Sequence, residues 1–518
     1  MFDPIEIEIF RNIFQSICDE MGSVLKRSSF SPNIKERQDY SCALFTSNGE
    51  SFAFGSHIPV HLGAMPLSVK EAIKEVSLEE GDMVILNDPY KGGTHLPDLT
   101  LISPFYFEKK LLFIVANRAH HSDVGGIKPG SMPLASEIYQ EGLIIPPVKI
   151  VRKGVICKDV LKIILSNVRT PEEREGDIIA QIASNKRGIE RLREVVEKYG
   201  VEKCLENAKN LIDYTERLFK AFLVRIPSGI YTFEDYMDDD GFGCEKIPIR
   251  VKIKVEKDNI KIDFSGSSPQ VKGGINANFA VTYSAVLYVM KSIIGEEIPV
   301  NSGIMRPIKL VLPEKSVVNA EKPYAVAGGN VETSQRIVDV LLGAFSKALP
   351  EKIPSASQGT MNNISFGGVD LKGENFAYYE TIGGGTGAGP GWDGVSGVHS
   401  HMTNSLNTPI EALENYLPIR INRYLLRKGS GGKGKFQGGD GIIREYKFLV
   451  ETEISILSER RKISPYGIKG GKRGKAGRNY LIKGKKRILL PSKANLVASA
   501  GDILRIETPG GGGYGKKK

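Results

Sequence analysis

Strand-forming and helix-forming stretches alternate in long blocks along this chain, and that order restricts the fold more than any other feature. The first thirty residues predict an amphipathic helix that Asp3 caps and that Pro4 begins. Strands are predicted from about 40 to 165 and again at 230–265, with helices between them and after them. A regular βαβ series would alternate much faster. The pattern therefore predicts an α+β or mixed α/β fold.

The chain has 518 residues, which is too many for one small domain, and we expect three regions. Residues 1–225 are predicted to form a strand-rich α+β region that carries a cluster of histidines and carboxylates. Residues 226–350 are predicted to form a central α+β region with helices. Residues 351–518 are predicted to form a glycine-rich, strand-rich region that includes a basic segment.

Charge and composition exclude several classes of protein. No run of about 18 apolar residues occurs, so no membrane span is expected, and the N-terminus does not resemble a secretory signal. The net charge is +10, but twelve Lys or Arg and no acid lie between Arg460 and Arg487, so the basic charge is local. A nucleic-acid partner is therefore not expected from the high pI alone. Five scattered cysteines predict a reducing, cytoplasmic location.

Five of the seven histidines lie close together in the first quarter of the chain. Two predicted strands meet at a turn centred on Lys109, which places Asp98 opposite His120 if they form a hairpin. Directly opposed side chains have Cβ atoms about 5 Å apart. His95 comes three residues before Asp98, in the loop that enters the same strand. A register shift of one residue would present His121 instead.

Two imidazoles and one carboxylate at the open end of a hairpin form a pattern typical of a divalent-metal site. Such nitrogen and oxygen ligands suit Mn²⁺, Fe²⁺ or Zn²⁺, and the metal would polarise a carbonyl group or lower the pKa of a bound water. Glu36 or Asp39 is the candidate for a fourth ligand. The alternative is a purely structural cluster, in which His95 and Asp98 share a loop hydrogen bond.

Two other histidine and glycine motifs are open to both a structural and a functional interpretation. His57 and His61 flank Pro59, which disfavours a helical metal-binding pair, so they either line a pocket from an extended segment or serve the structure. Six of the nine residues 383–391 are glycine, and this loop would either bind an anion through backbone N–H groups or form a tight structural turn. His399 and His401 follow this loop and are candidates to approach the metal cluster.

The chain resembles the hydantoinase B/oxoprolinase family, which includes B-type subunits of ATP-dependent hydantoinases and 5-oxoprolinases and is related to an acetone carboxylase subunit. Ordered motifs along nearly the whole chain carry the resemblance. They include Lys35-Glu36-Arg37-Gln38-Asp39, His57-Ile58-Pro59-Val60-His61, Gly92-Gly93-Thr94-His95-Leu96-Pro97-Asp98, His120-His121-Ser122-Asp123, Gly328-Gly329-Asn330, Tyr379-Glu380-Thr381-Ile382-Gly383-Gly384-Gly385, His399-Ser400-His401 and Thr508-Pro509-Gly510-Gly511-Gly512-Gly513.

The resemblance implies a metal site and a partner. In the acetone carboxylase branch the metal is manganese, and the ligands carried over to this chain are Glu36, His95, Asp98 and His120. The family works with an A-type subunit, an actin-like ATPase that carries an Asp-x-Gly-Gly-Thr motif. This chain has Gly-Gly-Thr twice without the preceding Asp. ATP is therefore expected to be used through a separate A-type chain.

The function implied by the resemblance is ATP-dependent hydrolysis of a cyclic amide. The partner would phosphorylate the ring amide oxygen of 5-oxoproline or a hydantoin, and this chain would open the activated ring. His57, His61, His121 and Asp123 are the candidates for moving protons. Two alternatives are a subunit of an ATP-dependent ketone carboxylase that acts on acetone, and a non-catalytic scaffold for the A-type subunit.

Overall fold

A computed structural model describes residues 3–55, 58–295 and 298–517, and it confirms the mixed α/β class. His57, one of the candidate proton carriers, lies outside the described residues. The helices are α1 (Pro4–Ser28), α2 (Pro32–Lys35), α3 (His61–Glu75), α4 (Lys158–Leu165), α5 (Pro171–Tyr199), α6 (Val201–Leu223), α7 (Phe279–Ile294), α8 (Ser334–Ala348) and α9 (Ile410–Tyr416).

The strands form four sheets, and each sheet draws its strands from only one of the three predicted regions. The first sheet contains β1 (Tyr40–Thr46), β2 (Ser51–Phe54), β3 (Met83–Leu86), β4 (Asp98–Phe107), β5 (Lys110–His120), β6 (Val148–Arg152) and β7 (Val155–Ile156), and the second contains β8 (Gly229–Asp239), β9 (Glu245–Glu256), β10 (Asn259–Asp263) and β11 (Ile308–Val311). The boundaries near 225 and 350 remain a prediction.

The last region holds two sheets whose strands interleave along the chain. Its strands are β12 (Asn363–Val369), β13 (Asn375–Glu380), β14 (Ile419–Arg427), β15 (Gly441–Phe448), β16 (Thr452–Leu457), β17 (Arg478–Lys483), β18 (Lys486–Leu490), β19 (Lys493–Ala498) and β20 (Ile503–Glu507). One sheet has the order β13-β12-β16-β19, and the other has the order β14-β15-β20-β17-β18. A shared apolar core joins the two.

The first sheet is covered by helices on both faces, and this position buries the strand ends that carry the histidine cluster. Its strand order is β2-β1-β5-β4-β3-β6-β7. The apolar stripe of α1, including Phe10 and Phe14, packs on one face together with α5 and α6. Met65 and Val69 of α3 pack on the other face. The ends of β4 and β5 are therefore shielded from water above and below.

Some local predictions were wrong. The stretch from about 40 to 165, predicted to contain strands, also contains two helices. Helices α3 and α4 were not predicted. Helix α3 contains Gly63 and Pro66, which have poor helix propensity, and its burial between the sheet and α7 supplies the stability that propensity does not.

The glycine-rich loop at 383–391 has the features of a structural turn, which was one of the two interpretations that the sequence left open. Its N–H groups are used by backbone acceptors: Gly384 donates to Val398, Gly385 to Pro509, and Ala388 to Gly512. A Cβ atom on Gly385 would lie 1.8 Å from the carbonyl oxygen of Gly439. Only glycine permits backbones to approach this closely.

The basic segment 460–487 is paired with acids from other parts of the chain. Five of its cations illustrate this: Arg460 contacts Asp235 and Asp339, and the other pairs are Lys462 with Glu245, Lys469 with Glu351, Lys483 with Asp502, and Arg487 with Glu507. Much of its charge is therefore compensated within the fold. In the described ranges, no helix has the length and apolar character required to cross a membrane.

Candidate metal centre

The hairpin of β4 and β5 has the register predicted from the sequence. Asp98 pairs directly with His120, and the pairing continues down the hairpin to Phe105 opposite Phe113 before a bulge near the turn. The register is fixed because the inward faces of both strands are buried against apolar cores. The first residues of β4 and the last of β5 therefore present their side chains together.

Asp98 lies at the middle of a cluster of three histidines. Its Oδ1 atom is 3.2 Å from His95 Nε2 and 3.4 Å from His120 Nδ1, and its Oδ2 atom is 3.3 Å from His61 Nε2. Thr94 also donates a hydrogen bond to Oδ2. His95 is fully buried, and Asp98 and His120 are 1% and 3% exposed. Burying polar and charged side chains costs free energy unless they are hydrogen-bonded, paired with an opposite charge or bound to a metal ion.

The ligand atoms of His95, Asp98 and His120 lie within 4.8 Å of one another, which is close enough for all three to bind one divalent cation. In the described part of the chain, no group forms a hydrogen bond of normal geometry with either ring nitrogen of His95, with Asp98 Oδ1 or with His120 Nε2. Buried polar atoms without partners are rare in native proteins and point to a missing water or ion. Imidazole nitrogens and a carboxylate are ligands for Mn²⁺, Fe²⁺ or Zn²⁺.

Electrostatics favour an ionised carboxylate on Asp98 and a neutral imidazole on His120. Burial alone would raise the pKa of Asp98, but His95, His61 and His120 outweigh it and hold that pKa well below its usual range. Burial lowers the pKa of His120 below its ordinary value, although Asp98 and the charge of Asp39 oppose this. Neutral histidines and an ionised aspartate are the protonation states that metal binding needs.

Neither of the two acids considered for a fourth ligand, Asp39 and Glu36, belongs to the group formed by the ligand atoms of His95, Asp98 and His120. Asp39 is 8% exposed, its carbonyl oxygen accepts a hydrogen bond from the N–H of His120, and its charge acts on that imidazole. Glu36 is half-buried at the end of α2 and is not part of the group whose ligand atoms lie within 4.8 Å. The assignment of Glu36 as a ligand remains a prediction.

The remaining candidate proton carriers have different surroundings. His61 is the first residue of α3, and its Nδ1 atom lies 2.9 Å from Ser41 Oγ while its Nε2 atom faces Asp98. His121 points to the other face of the hairpin, where Nε2 lies 2.9 Å from Gln181 of α5, and burial lowers its pKa. Asp123 accepts hydrogen bonds from Gly125, Gly130 and Arg169. The structure thus brings His61 into the cluster, and the hydrogen bonds of His121 and Asp123 go elsewhere.

His399 and His401 lie on the loop that follows the glycine-rich segment. Burial lowers the pKa of His399 to about 4, and the nearby charge of Arg37 contributes. His401 Nδ1 lies 3.3 Å from the hydroxyl of Tyr288, and His401 lines a pocket of about 590 Å³ with Tyr288 and Trp392. The described contacts do not place either histidine against Asp98.

Tyr379 was not identified from the sequence as a residue of the site. Its ring stacks on the ring of His120, with centroids 4.3 Å apart and planes 15° from parallel. Tyr379 comes from β13, more than 250 residues after His120. It belongs to one of the motifs that carry the family resemblance, and that was the only signal in the sequence that could have drawn attention to it.

Comparison with known proteins identifies the family. The model of the hydantoinase B/oxoprolinase family matches residues 3–517. The chain belongs to this family, as the motifs predicted.

Three relatives illustrate the range of the family. The chain is 45% identical to an uncharacterized protein of Methanocaldococcus jannaschii, over 99% of this chain and 91% of that protein. It is 42% identical to 5-oxoprolinase 1 of Arabidopsis thaliana, over 99% of this chain but only 42% of that protein. It is 32% identical to a protein of a Pseudomonas strain that is named as the B-type subunit of a D-/L-hydantoinase, over 99% of this chain and 90% of that protein. The chain thus corresponds to less than half of the plant 5-oxoprolinase.

Two solved structures share the fold. An ATP-dependent caprolactamase from Pseudomonas jessenii superimposes with a TM-score of 0.93 at 28% identity, covering 100% of this chain and 92% of that chain. The nucleotide-free structure of an acetone carboxylase superimposes with a TM-score of 0.89 at 20% identity, covering 99% of this chain and 76% of that chain. At the lower identity, the likeness to the carboxylase shows the fold alone.

Proposed function

We propose that this chain is the B-type subunit of an ATP-dependent cyclic amidohydrolase of the 5-oxoprolinase and hydantoinase kind. The observation that carries the proposal is the buried group of His95, Asp98 and His120, with unpartnered ligand atoms, in a chain of the hydantoinase B family. The proposed substrate is a small cyclic amide whose ring oxygen has been phosphorylated on a partner subunit.

The partner is proposed to be an A-type subunit with an actin-like ATPase fold. One relative, which is named as the B-type member of a hydantoinase, supports a separate partner. The Gly-Gly-Thr segments of this chain lack the Asp of the ATPase motif, so ATP would be bound elsewhere in the complex. We also propose a cytoplasmic location, in keeping with five free cysteines.

Within this chain, His95, Asp98 and His120 would hold the metal, with Asp39 or Glu36 as a further ligand. Manganese is the proposed metal, and zinc or iron would suit the same donors. When bound, such an ion polarises a carbonyl group or lowers the pKa of a water molecule. His61 lies between Ser41 and Asp98, and these contacts support a role for it in moving a proton. Roles for His57, His121 and Asp123 in proton transfer remain predictions.

The hydrolase is favoured over the carboxylase because relatives above 30% identity are named for oxoproline or hydantoin chemistry, whereas the carboxylase shares the fold alone. Co-expression with an A-type subunit and measurement of ADP release would separate them. We expect release with 5-oxoproline, hydantoins or caprolactam. ADP release only with acetone and bicarbonate would contradict the hydrolase proposal.

The metal centre is tested by His95→Ala. We expect loss of stoichiometric metal and a fall in turnover of roughly 100-fold or more, because one of the proposed ligands disappears. Circular dichroism should be unchanged. His399→Asn, which removes a partly buried histidine outside the cluster, is the control and should keep its metal. Full turnover of His95→Ala would refute the site, and a wild-type chain without stoichiometric metal would favour the scaffold alternative.

A further inference from the structure

A buried carboxyl group that the proposed reaction does not use lies close behind the cluster. Glu332 belongs to a π-helical turn, Gly329–Thr333, that leads into α8. Its side chain is fully buried, and its Oε1 atom accepts hydrogen bonds from the N–H of Met361, at 3.1 Å, and from Asn363 Nδ2, at 2.8 Å. No described group forms a hydrogen bond of normal geometry with Oε2. π-Helical turns are often found at functional sites.

Two side chains connect Glu332 to His120. Asn363 donates to Glu332 through its amide nitrogen and accepts a 2.6 Å hydrogen bond from the hydroxyl of Tyr379 through its amide oxygen. The ring of Tyr379 stacks on the imidazole of His120. Burial raises the pKa of Tyr379 well above its usual value, so its hydroxyl keeps the proton that it donates. The path from the carboxyl to His120 thus consists of two hydrogen bonds and one ring contact.

The surroundings of Glu332 favour its neutral form at neutral pH. Burial raises the pKa of this carboxyl group to about 8, and the charge of Glu459 adds to the increase. Thr360, Lys493 and Arg461 act in the opposite direction and only partly offset it. A carboxyl group in this position keeps its proton at pH 7 until a further positive charge arrives nearby.

We propose that Glu332 is a proton-exchanging positioning residue of the metal centre, joined to His120 through Asn363 and Tyr379, and that it gives up its proton when a divalent cation binds there. The O–H bond of the carboxyl group breaks, the electron pair stays on the carboxylate, and the proton passes to the solvent. The added negative charge partly balances that of the ion in a site of low dielectric constant. The inference rests on the metal centre of the proposed function and deepens it by linking cation binding to pH.

The test is calorimetric titration of the metal-free full-length chain with Mn²⁺ at pH 7 in buffers of different ionisation enthalpy, which counts the protons released. We expect the wild-type chain to release close to one proton more than Glu332→Gln. Glutamine keeps Oε1 as the acceptor for Met361 and Asn363 but cannot ionise, so Mn²⁺ should still bind. Glu141→Gln is the matched control, because it removes another buried carboxyl group whose pKa is raised to about 8, and it should release as many protons as the wild type.

Equal proton release by the wild type and Glu332→Gln would overturn the inference. A second measurement does not depend on the folding of the variant. Infrared difference spectra of the wild-type chain should show the loss of a protonated carboxyl band when Mn²⁺ is added at pH 7, and spectra without such a loss would overturn the inference as well. Failure of every variant and of the wild type to bind Mn²⁺ would remove the metal centre and the proposed function together. Proton release without turnover of any cyclic amide would support the inference and count against the proposed substrate class.

Discussion

At the scale of single residues, Asp98 organises the cluster because three histidines share its two carboxylate oxygens. His95 and His120 face Oδ1, and His61 faces Oδ2. An isolated buried carboxylate would be strongly disfavoured, but here its imidazole neighbours keep it ionised. Burial lowers the pKa of His120, so this imidazole favours its neutral form. The carboxylate of Asp98 thus carries a negative charge at a position where a cation can bind.

Glu141 shows how a buried carboxyl group away from the cluster affects stability. Burial raises the pKa of Glu141 from 4.5 to about 8, although the N–H groups of Val326 and Ala327 donate to its Oε1 atom and lower it. Because the folded-state pKa lies above the unfolded value, the stabilisation is present below pH 4.5 and is lost as the pH rises through 8.

We therefore predict that Glu141→Gln becomes more stable than the wild type as the pH rises from 5 to 9. Glutamine keeps the Oε1 acceptor but has no charge to bury, and the gain in the free energy of unfolding is at most ~5 kcal/mol. Urea unfolding at pH 5, 7 and 9 measures it. Glu80→Gln, at an exposed position, should show no such trend. A difference for Glu141→Gln that does not change with pH would contradict the prediction.

At the scale of secondary-structure elements, local pairing determines the β4–β5 hairpin, whereas tertiary contact determines the position of helix α3. The hairpin is local, because its two strands are joined by a tight turn and pair along their length. Helix α3 is placed by contact with α7, and this contact brings His61 to Asp98. Gly63, two residues after His61, lets the backbones of α3 and α7 approach closely, since a Cβ there would lie 2.8 Å from the Cα of Ser284.

Gly63→Ala is predicted to weaken both the fold and the cluster. The added methyl group would push α3 away from α7, at a cost of ~1–3 kcal/mol, and would move His61 from Asp98. We expect a lower melting temperature and weaker Mn²⁺ binding. Gly229→Ala is a suitable control, because its nearest neighbour is the flexible end of Tyr231 at 3.3 Å. Unchanged stability and metal affinity in Gly63→Ala would show that the contact has no role in placing His61.

At the scale of the whole molecule, Arg37 joins the first region to the last. Its buried guanidinium donates to the carbonyl oxygens of Tyr379 and Leu406 and to the hydroxyls of Thr381 and Ser405. These acceptors lie more than 340 residues away along the chain. Arg37 thus holds the strand that carries Tyr379 beside the hairpin that carries His120.

Arg37→Met is predicted to destabilise the fold by ~3 kcal/mol or more. Methionine fills part of the space but removes the donor to the buried carbonyl oxygen of Tyr379 and to the buried hydroxyls of Thr381 and Ser405, at about 1–3 kcal/mol for each buried group left without a partner. Calorimetric unfolding of the full chain measures the loss. Arg11→Met removes only an exposed pair with Glu8 and should change stability by less than ~0.5 kcal/mol. Equal effects of the two substitutions would contradict the role assigned to Arg37.

Much of the fold could be predicted where the pattern is local and strongly periodic. Helix α1 lies within the first thirty residues, where a helix was predicted, and β8, β9 and β10 occupy the stretch near 230–265 where strands were predicted. Helix α3 could not be predicted, because Gly63 and Pro66 obscure its pattern and packing supplies its stability. The interpretation of the glycine-rich loop at 383–391 was left open, because only the packed structure reveals that its N–H groups are taken by other backbones.

Local sequence was enough to specify which residues of the β4–β5 hairpin meet, since a short turn and a buried face leave one register for Asp98 and His120. Packing of the whole chain was needed to bring His61, Tyr379 and Glu332 around them. These three residues lie on elements distant in sequence, and their positions depend on how α3, β13 and the π-helical turn pack. Such packing results from many weak apolar contacts across the chain, which no short motif encodes.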